Sequence, residues 1–215
     1  MGAVRGVLIT FEGVEGSGKS TQAQLLAEYL KEKGREVVFS REPGGTEIGE
    51  RIRDILLDPN CRQMDARTEL FLYLASRNQH VREKILPALR AGKIVIVDRF
   101  ADSSVAYQGF GRELGEKFVG RLNKLATRGL KPDITFLVDV PVAVGHQRKE
   151  RGKLDRMEQE EVKFHERVRD GYLRMARRAP GRIKVVAGER EPMEIQQEIR
   201  LLVDRMLERK GKKKL

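Results

Sequence analysis

Five apolar runs of strand length recur along the chain, and stretches of helical periodicity separate them. The runs occupy residues 4–11, 36–40, 94–97, 134–139 and 183–186. The run from Ile94 to Val97 is continuously apolar, which is typical of a strand buried on both faces of a parallel sheet. The pattern therefore predicts five parallel strands.

The segments between the runs carry apolar residues at helical spacing. They begin near residues 21, 48, 66, 114, 141, 164 and 192. The longest, over residues 66–91, contains Pro87, which predicts a kink. Strands that alternate with helices predict an α/β fold, with a five-stranded parallel sheet flanked by helices on both faces.

A glycine-rich loop joins the first strand to the first helix and matches the pattern G-x-x-x-x-G-K-[ST]. Glycines let its backbone curl so that N–H groups and the helix N-terminus face an anion. This loop predicts a P-loop NTPase fold, in which Lys19 reaches the β- and γ-phosphates and Ser20 ligates Mg²⁺. The residues predicted to bind the nucleotide are Gly13, Val14, Glu15, Gly16, Ser17, Gly18, Lys19, Ser20 and Thr21.

The third strand ends in Asp98 and Arg99. An acidic residue that closes a buried strand beside a P-loop resembles the position that holds Mg²⁺ through water. The alternative for Asp98 is a helix cap, and the alternative for Arg99 is a solvated surface arginine. We favour the metal role for Asp98, together with Ser20, and we expect Arg99 to point at the same cleft.

Two polar segments follow strands at the edge where ligands bind in parallel α/β sheets. Residues 41–46 form a turn after the second strand. Residues 101–111 are rich in hydrogen-bonding groups and contain Ser103, Ser104, Tyr107 and Gln108. The second segment either lines a pocket for a base or sugar or forms a plain junction between a helix and a loop; the residues alone favour neither.

Residues 148–157 contain three arginines, Arg148, Arg151 and Arg156, around Gly152. This composition predicts a short lid that closes over phosphates and supplies arginines to the transferred group. The alternative is an exposed helix end with salt bridges.

Length and composition predict one globular domain, residues 1–215, with a basic tail at residues 209–215. No apolar run is long enough to span a membrane, and the N-terminal run is too short for a signal peptide. Cys61 is the only cysteine, which suits a reducing cytoplasm. The net charge of +11 suits either nucleic acid or small phosphorylated ligands. The basic residues are scattered, so we expect neither a nucleic-acid partner nor a membrane.

Four stretches together resemble the thymidylate kinase family: residues 11–21, 41–53, 98–112 and 151–158. The third is the most specific, with Asp-Arg-Phe, Ser-Ser and Ala-Tyr-Gln-Gly in succession. The resemblance implies that ATP and dTMP give ADP and dTDP with Mg²⁺, on the way to dTTP. It also implies a homodimer with a helical interface.

The resemblance further implies individual roles. Arg53 and Arg99 would hold the dTMP phosphate, Tyr73 would stack on thymine, and Arg77 with Ser104 would hydrogen-bond the base. Tyr107 would crowd the 2′ position of the sugar, and Glu15 would approach the 3′-hydroxyl. The full set expected to bind the substrate is Glu15, Glu42, Pro43, Arg53, Tyr73, Arg77, Arg99, Ser103, Ser104, Tyr107 and Gln108.

The loop itself lacks an arginine, so the resemblance implies that lid residues Arg151 and Arg156 assist Lys19 and Arg99 in catalysis, as in bacterial members. The sequence departs from the family where the lid helix usually carries an arginine, since Gln147 occupies that position and Arg148 follows. We expect Arg148 to contact the nucleotide. The last strand runs into Ala187-Gly188 rather than an Asp-Ala pair, which leaves the other adenine contacts open.

Two rival readings remain. One is a kinase for guanylate, adenylate or cytidylate, against which residues 41–45 and 106–109 argue. The other is a P-loop ATPase that binds nucleic acid, which the net charge suggests.

Overall fold

The computed structural model describes residues 6–149 and 154–212, with side chains up to residue 210. Within them, five strands form one parallel sheet, so the α/β prediction is confirmed. The strands lie across the sheet in the order β2-β3-β1-β4-β5. They are β1 (Val7–Glu12), β2 (Val37–Arg41), β3 (Ile94–Asp98), β4 (Ile134–Asp139) and β5 (Ile183–Ala187).

Helices flank the sheet on both faces because alternate strand residues point to opposite sides. On β1, Ile9 and Phe11 pack with residues of the first and last helices, while Leu8 packs with Val81 and Leu89 on the other side. The helices are α1 (Lys19–Glu32), α2 (Glu47–Leu57), α3 (Ala66–His80), α4 (Leu86–Arg90), α5 (Ala101–Ser104), α6 (Glu116–Ala126), α7 (Val142–Lys149), α8 (Val162–Arg178) and α9 (Pro192–Lys212).

The carboxyl ends of the central strands meet at one edge of the sheet. Phe11 of β1 is in register with Asp98 of β3, and Asp98 is in register with Arg41 of β2. The residues that follow these three strands are therefore neighbours, which brings the glycine-rich loop beside Arg99 and Glu42.

The long helical stretch over residues 66–91 is interrupted before Pro87, as the sequence predicts. A π-helical turn (Val81–Ile85) separates α3 from α4, and Pro87 is the second residue of α4. Proline has no N–H, and its ring crowds the carbonyl four residues earlier, which here belongs to Glu83. The irregularity therefore lies in the turn before the proline.

Residues 101–111 continue from α5 into a second π-helix (Val105–Gly111). Tyr107 and Gln108 are buried in it. This segment is neither a plain linker nor a regular helix, and π-helical turns are frequent at functional sites.

The last helix extends to Lys212, so the first four residues of the predicted basic tail are helical. Lys210 pairs with Asp133 at 2.5 Å. The remaining residues of the predicted tail lie outside the described residues. Within the described residues, no helix is both long and apolar enough to cross a membrane.

Candidate active site

The glycine-rich loop curls tightly between β1 and α1. Gly13 and Gly16 adopt positive φ angles of 147° and 69°, which L side chains rarely tolerate. A Cβ on Gly16 would lie 2.1 Å from the carbonyl oxygen of Gly145, so the loop packs directly on the backbone of α7. The curl ends where α1 begins at Lys19, which directs the helix N-terminus at the loop.

Lys19 is buried in the loop without an anionic partner at hydrogen-bond distance among the described residues. Its Nζ makes a long contact of 3.4 Å to the carbonyl oxygen of Val14. Burial and the nearby Arg99 guanidinium lower the pKa of Lys19 to about 8. Ser17 Oγ is likewise buried and has no partner within the described part of the chain. A bound phosphate supplies acceptors to both groups.

Ser20 and Asp98, the two predicted metal residues, are in direct contact. The hydroxyl of Ser20 donates to Asp98 Oδ2. Asp98 Oδ1 is buried and has no hydrogen-bond partner among the described residues. A hydroxyl and a carboxylate oxygen are the hard ligands that Mg²⁺ takes beside phosphates. The residues present therefore fit the predicted Mg²⁺ site.

Arg99 has a left-handed backbone, with a φ of 67°. A non-glycine residue in this region is strained and is often found at a functional site. Its guanidinium donates to Glu15 Oε1 at 2.7 Å and to the Tyr107 hydroxyl at 3.1 Å. Arg99 is thus held in the cleft beside the loop, and the solvated alternative is wrong.

Glu15 projects from the loop toward Arg99 and Tyr107. Burial acts to raise its pKa, but the charges of Arg99 and Lys19 and the hydrogen bond from Tyr107 outweigh burial and lower the pKa to about 2. Nearby His165 is buried, 3.9 Å from Glu15 Oε2, and neither of its ring nitrogens has a hydrogen-bond partner within the described residues. Glu15 is therefore a fixed negative charge in the cleft.

A cleft opens next to the loop and holds about 530 Å³ of empty space, which includes its opening to solvent; we call it the acceptor pocket. All eleven residues that the sequence assigns to the substrate line it, and three others were not predicted. The lining is Glu15, Glu42, Pro43, Leu57, Arg53, Tyr73, Arg77, Arg99, Ser103, Ser104, Tyr107, Gln108, Asp155 and Met157. The polar segment after β3 therefore lines a pocket.

Arg77 is fully buried at the base of the acceptor pocket, and its guanidinium is bonded on three sides. Nε donates to Glu42 at 2.7 Å, Nη1 donates to Ser104 at 2.7 Å, and Nη2 donates to the carbonyl oxygen of Phe100 at 2.9 Å. Nη1 also donates to Asn123 Oδ1 at 2.7 Å, so one hydrogen of Nη2 is the only guanidinium N–H that these contacts do not use. The guanidinium is thus fixed and retains a donor beside the pocket.

Glu42 is oriented in turn by His80. The His80 ring bridges Glu42 Oε1 at 2.9 Å and Ser40 Oγ at 2.8 Å. Arg53 donates to the carbonyl oxygen of Pro43 at 2.9 Å, and burial lowers the pKa of Arg53. Arg77 and Arg53 therefore contact the turn after β2, at Glu42 and at Pro43 respectively.

Glu12, the last residue of β1, is buried beneath the pocket. It accepts hydrogen bonds from Phe100 N at 2.8 Å, from Ser103 Oγ at 2.5 Å and from the Tyr172 hydroxyl at 2.9 Å. Burial, with a smaller effect from Asp102, raises the pKa of Glu12 to about 7. Glu12 thus links β1 to the start of the pocket-lining segment.

The lid arginines differ in position. Arg148 Nη1 lies 3.1 Å from the carbonyl oxygen of Gly188 and 3.3 Å from that of Gly16, at the loop. Arg151 lies outside the described residues. Arg156 is buried and turned toward the wall of the acceptor pocket, where it donates to Glu69 at 2.7 Å and to the carbonyl oxygen of Leu56 at 2.8 Å. In this structure Nε and Nη1 of Arg156 are paired with Leu56 and Glu69, whereas Nη2 is buried without a hydrogen-bond partner among the described residues; that Arg156 reaches the transferred phosphate stays a prediction.

Sequence reasoning missed Glu12, Glu69 and His80. Spacing offered a signal for two of them, because Glu69 precedes Tyr73 by four residues and His80 follows Arg77 by three. Glu12 is recognisable only as an acidic residue that ends an apolar strand.

Comparisons with known proteins agree with this geometry. The profile of the thymidylate kinase family matches residues 11–199. A thymidylate kinase of Symbiobacterium thermophilum is 47% identical over 204 residues, which cover 95% of each chain. A thymidylate kinase of Desulfovibrio desulfuricans is 43% identical over 214 residues, covering 96% of this chain and 99% of its own.

A solved structure shows the same fold. The crystal structure of thymidylate kinase from Ehrlichia chaffeensis has a TM-score of 0.76 and 37% sequence identity to this chain. The match covers 93% of this chain and 98% of that one.

Proposed function

This chain belongs to the thymidylate kinase family, and on that basis we propose how its residues carry out phosphoryl transfer. The reaction of the family converts dTMP to dTDP at the expense of a nucleoside triphosphate. We propose ATP as the donor and Mg²⁺ as the metal, in the pathway to dTTP. The chain acts as a single domain, residues 1–215.

The glycine-rich loop holds the donor. Its N–H groups and the N-terminus of α1 face the phosphates. Ser17 Oγ has no protein partner within the described residues, and Lys19 Nζ has one long contact, to the carbonyl oxygen of Val14. Ser20 and Asp98 hold Mg²⁺, which offsets phosphate charge when it is bound. Arg148, between Gly16 and Gly188, flanks the adenine side.

The acceptor pocket holds dTMP. Arg77 donates its remaining N–H to the thymine, Ser104 adds a hydrogen bond, and Tyr73 stacks on the ring. Arg53 and Arg99 hold the phosphate, and Glu15 with Tyr107 faces the sugar. The other residues that contact the nucleotide are Glu42, Pro43, Ser103 and Gln108.

Positioning and charge neutralisation account for the catalysis. The phosphate of dTMP is ionised at neutral pH, so the reaction needs no strong general base. Arg99 lies between the loop and the acceptor pocket, where two negative groups must approach. Lys19 and Arg99 offset that charge, and we propose that Arg151 of the lid joins them.

One observation carries this proposal: Glu15 of the loop and Arg99 form an ion pair, and both residues also line the acceptor pocket. The donor site and the acceptor site therefore adjoin. A coupled assay for ADP release tests it, with ATP and Mg²⁺ as donor and with dTMP, GMP, AMP and CMP offered separately. We expect dTMP to support the highest kcat/KM.

Two results would contradict the proposal. A faster reaction with GMP, AMP or CMP would identify another monophosphate kinase. ATP hydrolysis that needs DNA or RNA and no monophosphate would identify a nucleic-acid-dependent ATPase instead. We expect no effect of nucleic acid on the rate.

We propose a homodimer that buries one face of α2, α3 and α6. Helix α3 packs against both α2 and α6. Large apolar side chains on these helices are exposed, and a contiguous exposed apolar surface marks an interaction site. They are Ile48, Ile55, Phe71, Phe118 and Leu125. A second copy of the chain is the occupant we propose.

Light scattering after gel filtration tests the dimer. The wild-type chain should elute as a dimer, and Phe71→Glu combined with Leu125→Glu should elute as a monomer. Leu201→Glu, on α9, changes an apolar residue of another helix that is about as exposed as Phe71, and this variant should remain dimeric. A monomeric wild-type chain would exclude this interface.

We also propose a cytoplasmic location, which suits the single unpaired Cys61.

A further inference from the structure

Behind one wall of the acceptor pocket lies a group of charges, which we call the Glu69 cluster: Glu69 and Arg156, which are buried, with Arg112 and Glu160, which are partly exposed. Glu69 is fully buried and accepts from Arg156 Nη1 at 2.7 Å and from Arg112 Nη2 at 2.9 Å. Arg112 Nη2 also donates to Glu160 at 2.5 Å. Two carboxylates thus meet two guanidinium groups, which compensates the buried charge.

The Glu69 cluster contacts or adjoins pocket-lining residues from four segments of the chain. Gln108 of the second π-helix donates to Glu69 at 2.9 Å. Tyr73 lies one helical turn after Glu69 on α3. The backbone N–H of Arg156 donates to the carbonyl oxygen of Leu57, at the end of α2.

The fourth segment is the end of the lid. Asp155 and Met157 line the pocket on either side of Arg156 in the sequence. Because Arg156 is anchored to Glu69 and to the carbonyl oxygen of Leu56, these two neighbours are fixed against α2 and α3. Five pocket-lining residues therefore depend on this one ion-pair cluster.

We propose that Glu69 and Arg156 are positioning residues for the nucleoside monophosphate. They lock Tyr73, Gln108, Leu57, Asp155 and Met157 into one rigid wall. The inference rests on the proposed function, because it assigns this wall to dTMP. Neither residue contacts the substrate itself.

The alternative is that Arg156 swings out of the cluster and acts at the transferred phosphate. That movement would leave Glu69 buried with one guanidinium and would break two hydrogen bonds of Arg156. Removing one partner of a buried ion pair is strongly unfavourable. Burial acts to raise the pKa of Glu69, but its contacts with Arg112 outweigh burial and lower the pKa, so the carboxylate stays charged and retains its arginines.

Steady-state kinetics of three variants test the proposal: Arg156→Met, Glu69→Gln and the double variant. Methionine keeps much of the length of arginine without its charge, and glutamine keeps the shape of glutamate. Arg178→Met is the matched control, since Arg178 makes a two-oxygen contact with Glu116 at an exposed site away from the pocket. The readouts are kcat, KM for dTMP, KM for ATP and the melting temperature.

We expect Arg156→Met to raise KM for dTMP about tenfold to a hundredfold, because small misplacements of positioning groups have effects of this size. Its kcat and its KM for ATP should stay close to the wild-type values. In the double variant, the loss of binding free energy for dTMP should be smaller than the sum of the losses in the two single variants, because the two residues are in contact. Arg178→Met should match the wild-type kinetics.

Two results would overturn the proposal. A loss confined to kcat, with KM for dTMP unchanged, would show that Arg156 acts on the transferred phosphate. A lower melting temperature with both KM values unchanged would show that the cluster only stabilises the fold. Failure of the wild-type chain to phosphorylate dTMP would instead reject the proposed function, so the two failures are distinguishable.

Discussion

At and beside the glycine-rich loop, buried polar atoms lack hydrogen-bond partners among the described residues, whereas in the wall of the acceptor pocket buried carboxylates are paired with arginines. Lys19 has one long contact, and among the described residues Ser17 Oγ and Asp98 Oδ1 have none. Arg77 instead makes short hydrogen bonds to Glu42, Ser104 and Phe100, and Glu69 binds two arginines.

This difference indicates that the ligand supplies missing hydrogen-bond partners at the loop rather than in the pocket wall. An unsatisfied buried polar group costs free energy, so the loop is stabilised when phosphate and metal supply the missing partners. In the pocket wall the carboxylates of Glu42 and Glu69 already have guanidinium partners, although Arg156 Nη2 is buried without a partner among the described residues.

Lys19→Met should reduce phosphoryl transfer by about 10³-fold, because it removes a preorganised charge from the phosphates. Its melting temperature should not fall, because the lost amine is buried without an anionic partner at hydrogen-bond distance within the described residues. Turnover and thermal unfolding of the purified variant measure both effects. Turnover near the wild-type value would remove the loop from the mechanism.

Arg77→Met, in the pocket wall, should lower the stability of the fold, which Lys19→Met should not do. It should lower the free energy of unfolding by about 3–5 kcal/mol, since Glu42 is left buried with an unpaired charge. Glu42→Gln added to Arg77→Met should recover part of that loss, as denaturant unfolding can measure. Equal stability of Arg77→Met and the wild-type chain would show that the wall is not held by its ion pairs.

The raised pKa of Glu12 predicts a stability that depends on pH. The folded state binds the proton more tightly than the unfolded state, because the pKa rises from 4.5 to about 7 on folding. This stabilisation is complete below pH 4.5 and is lost as the pH rises through 7, by roughly 3 kcal/mol. Unfolding curves at several pH values should show this loss of stability. In Glu12→Gln the free energy of unfolding should depend less on pH. An identical pH profile in the variant would assign the dependence to other groups.

Variants of Tyr107 test whether the wall of the acceptor pocket contacts the sugar of the nucleotide at this residue. Its ring packs edge-on against Phe164 and Tyr172, while its hydroxyl bonds Glu15 and Arg99. The ring is therefore both core and pocket. Tyr107→Ala should narrow the preference for dTMP over ribothymidine monophosphate by roughly tenfold to a hundredfold, since a 2′-hydroxyl no longer loses water against the ring.

The matched control is Tyr107→Phe, which keeps the ring and should keep the preference. The measurement is kcat/KM for both nucleotides, with a melting curve for each variant. An unchanged ratio in a destabilised Tyr107→Ala would assign the ring to the core alone.

Lys210→Ala should have the smallest effect, because its ion pair with Asp133 is solvent-exposed and distant from both regions. Exposed ion pairs contribute about 0–1 kcal/mol. A shift in melting temperature of a few degrees or less, with unchanged kcat and KM, is the expected result. A large loss of activity would show that the end of α9 reaches the site.

The sequence predicted the sheet and the loop because both depend on local patterns. Apolar runs specify buried strands, and Gly16 and Gly18 are needed where φ is positive. The lining of the acceptor pocket was predicted through the family resemblance, which identifies residues from separate segments. Spacing alone did not decide whether residues 101–111 line a pocket.

The buried ion pairs were not predictable from the sequence. Arg156 is 87 residues from Glu69, and their contact depends on how Arg156 packs against α2 and α3 in the folded chain. Local composition placed Arg156 with the other lid arginines, although tertiary packing commits it to a carboxylate. His80 and Glu12 were missed for the same reason, since each is defined by its partners in space.

The most direct test of the contrast is proton uptake on ATP binding at pH 8, measured by titration calorimetry in buffers of different ionisation enthalpy. Because the pKa of Lys19 is about 8, about half of the amines are neutral at that pH and should be protonated when phosphate is bound. We therefore predict uptake of about half a proton per site, and none in Lys19→Arg, whose guanidinium stays charged. Absence of uptake in the wild-type chain would contradict the account of a loop that its ligand completes.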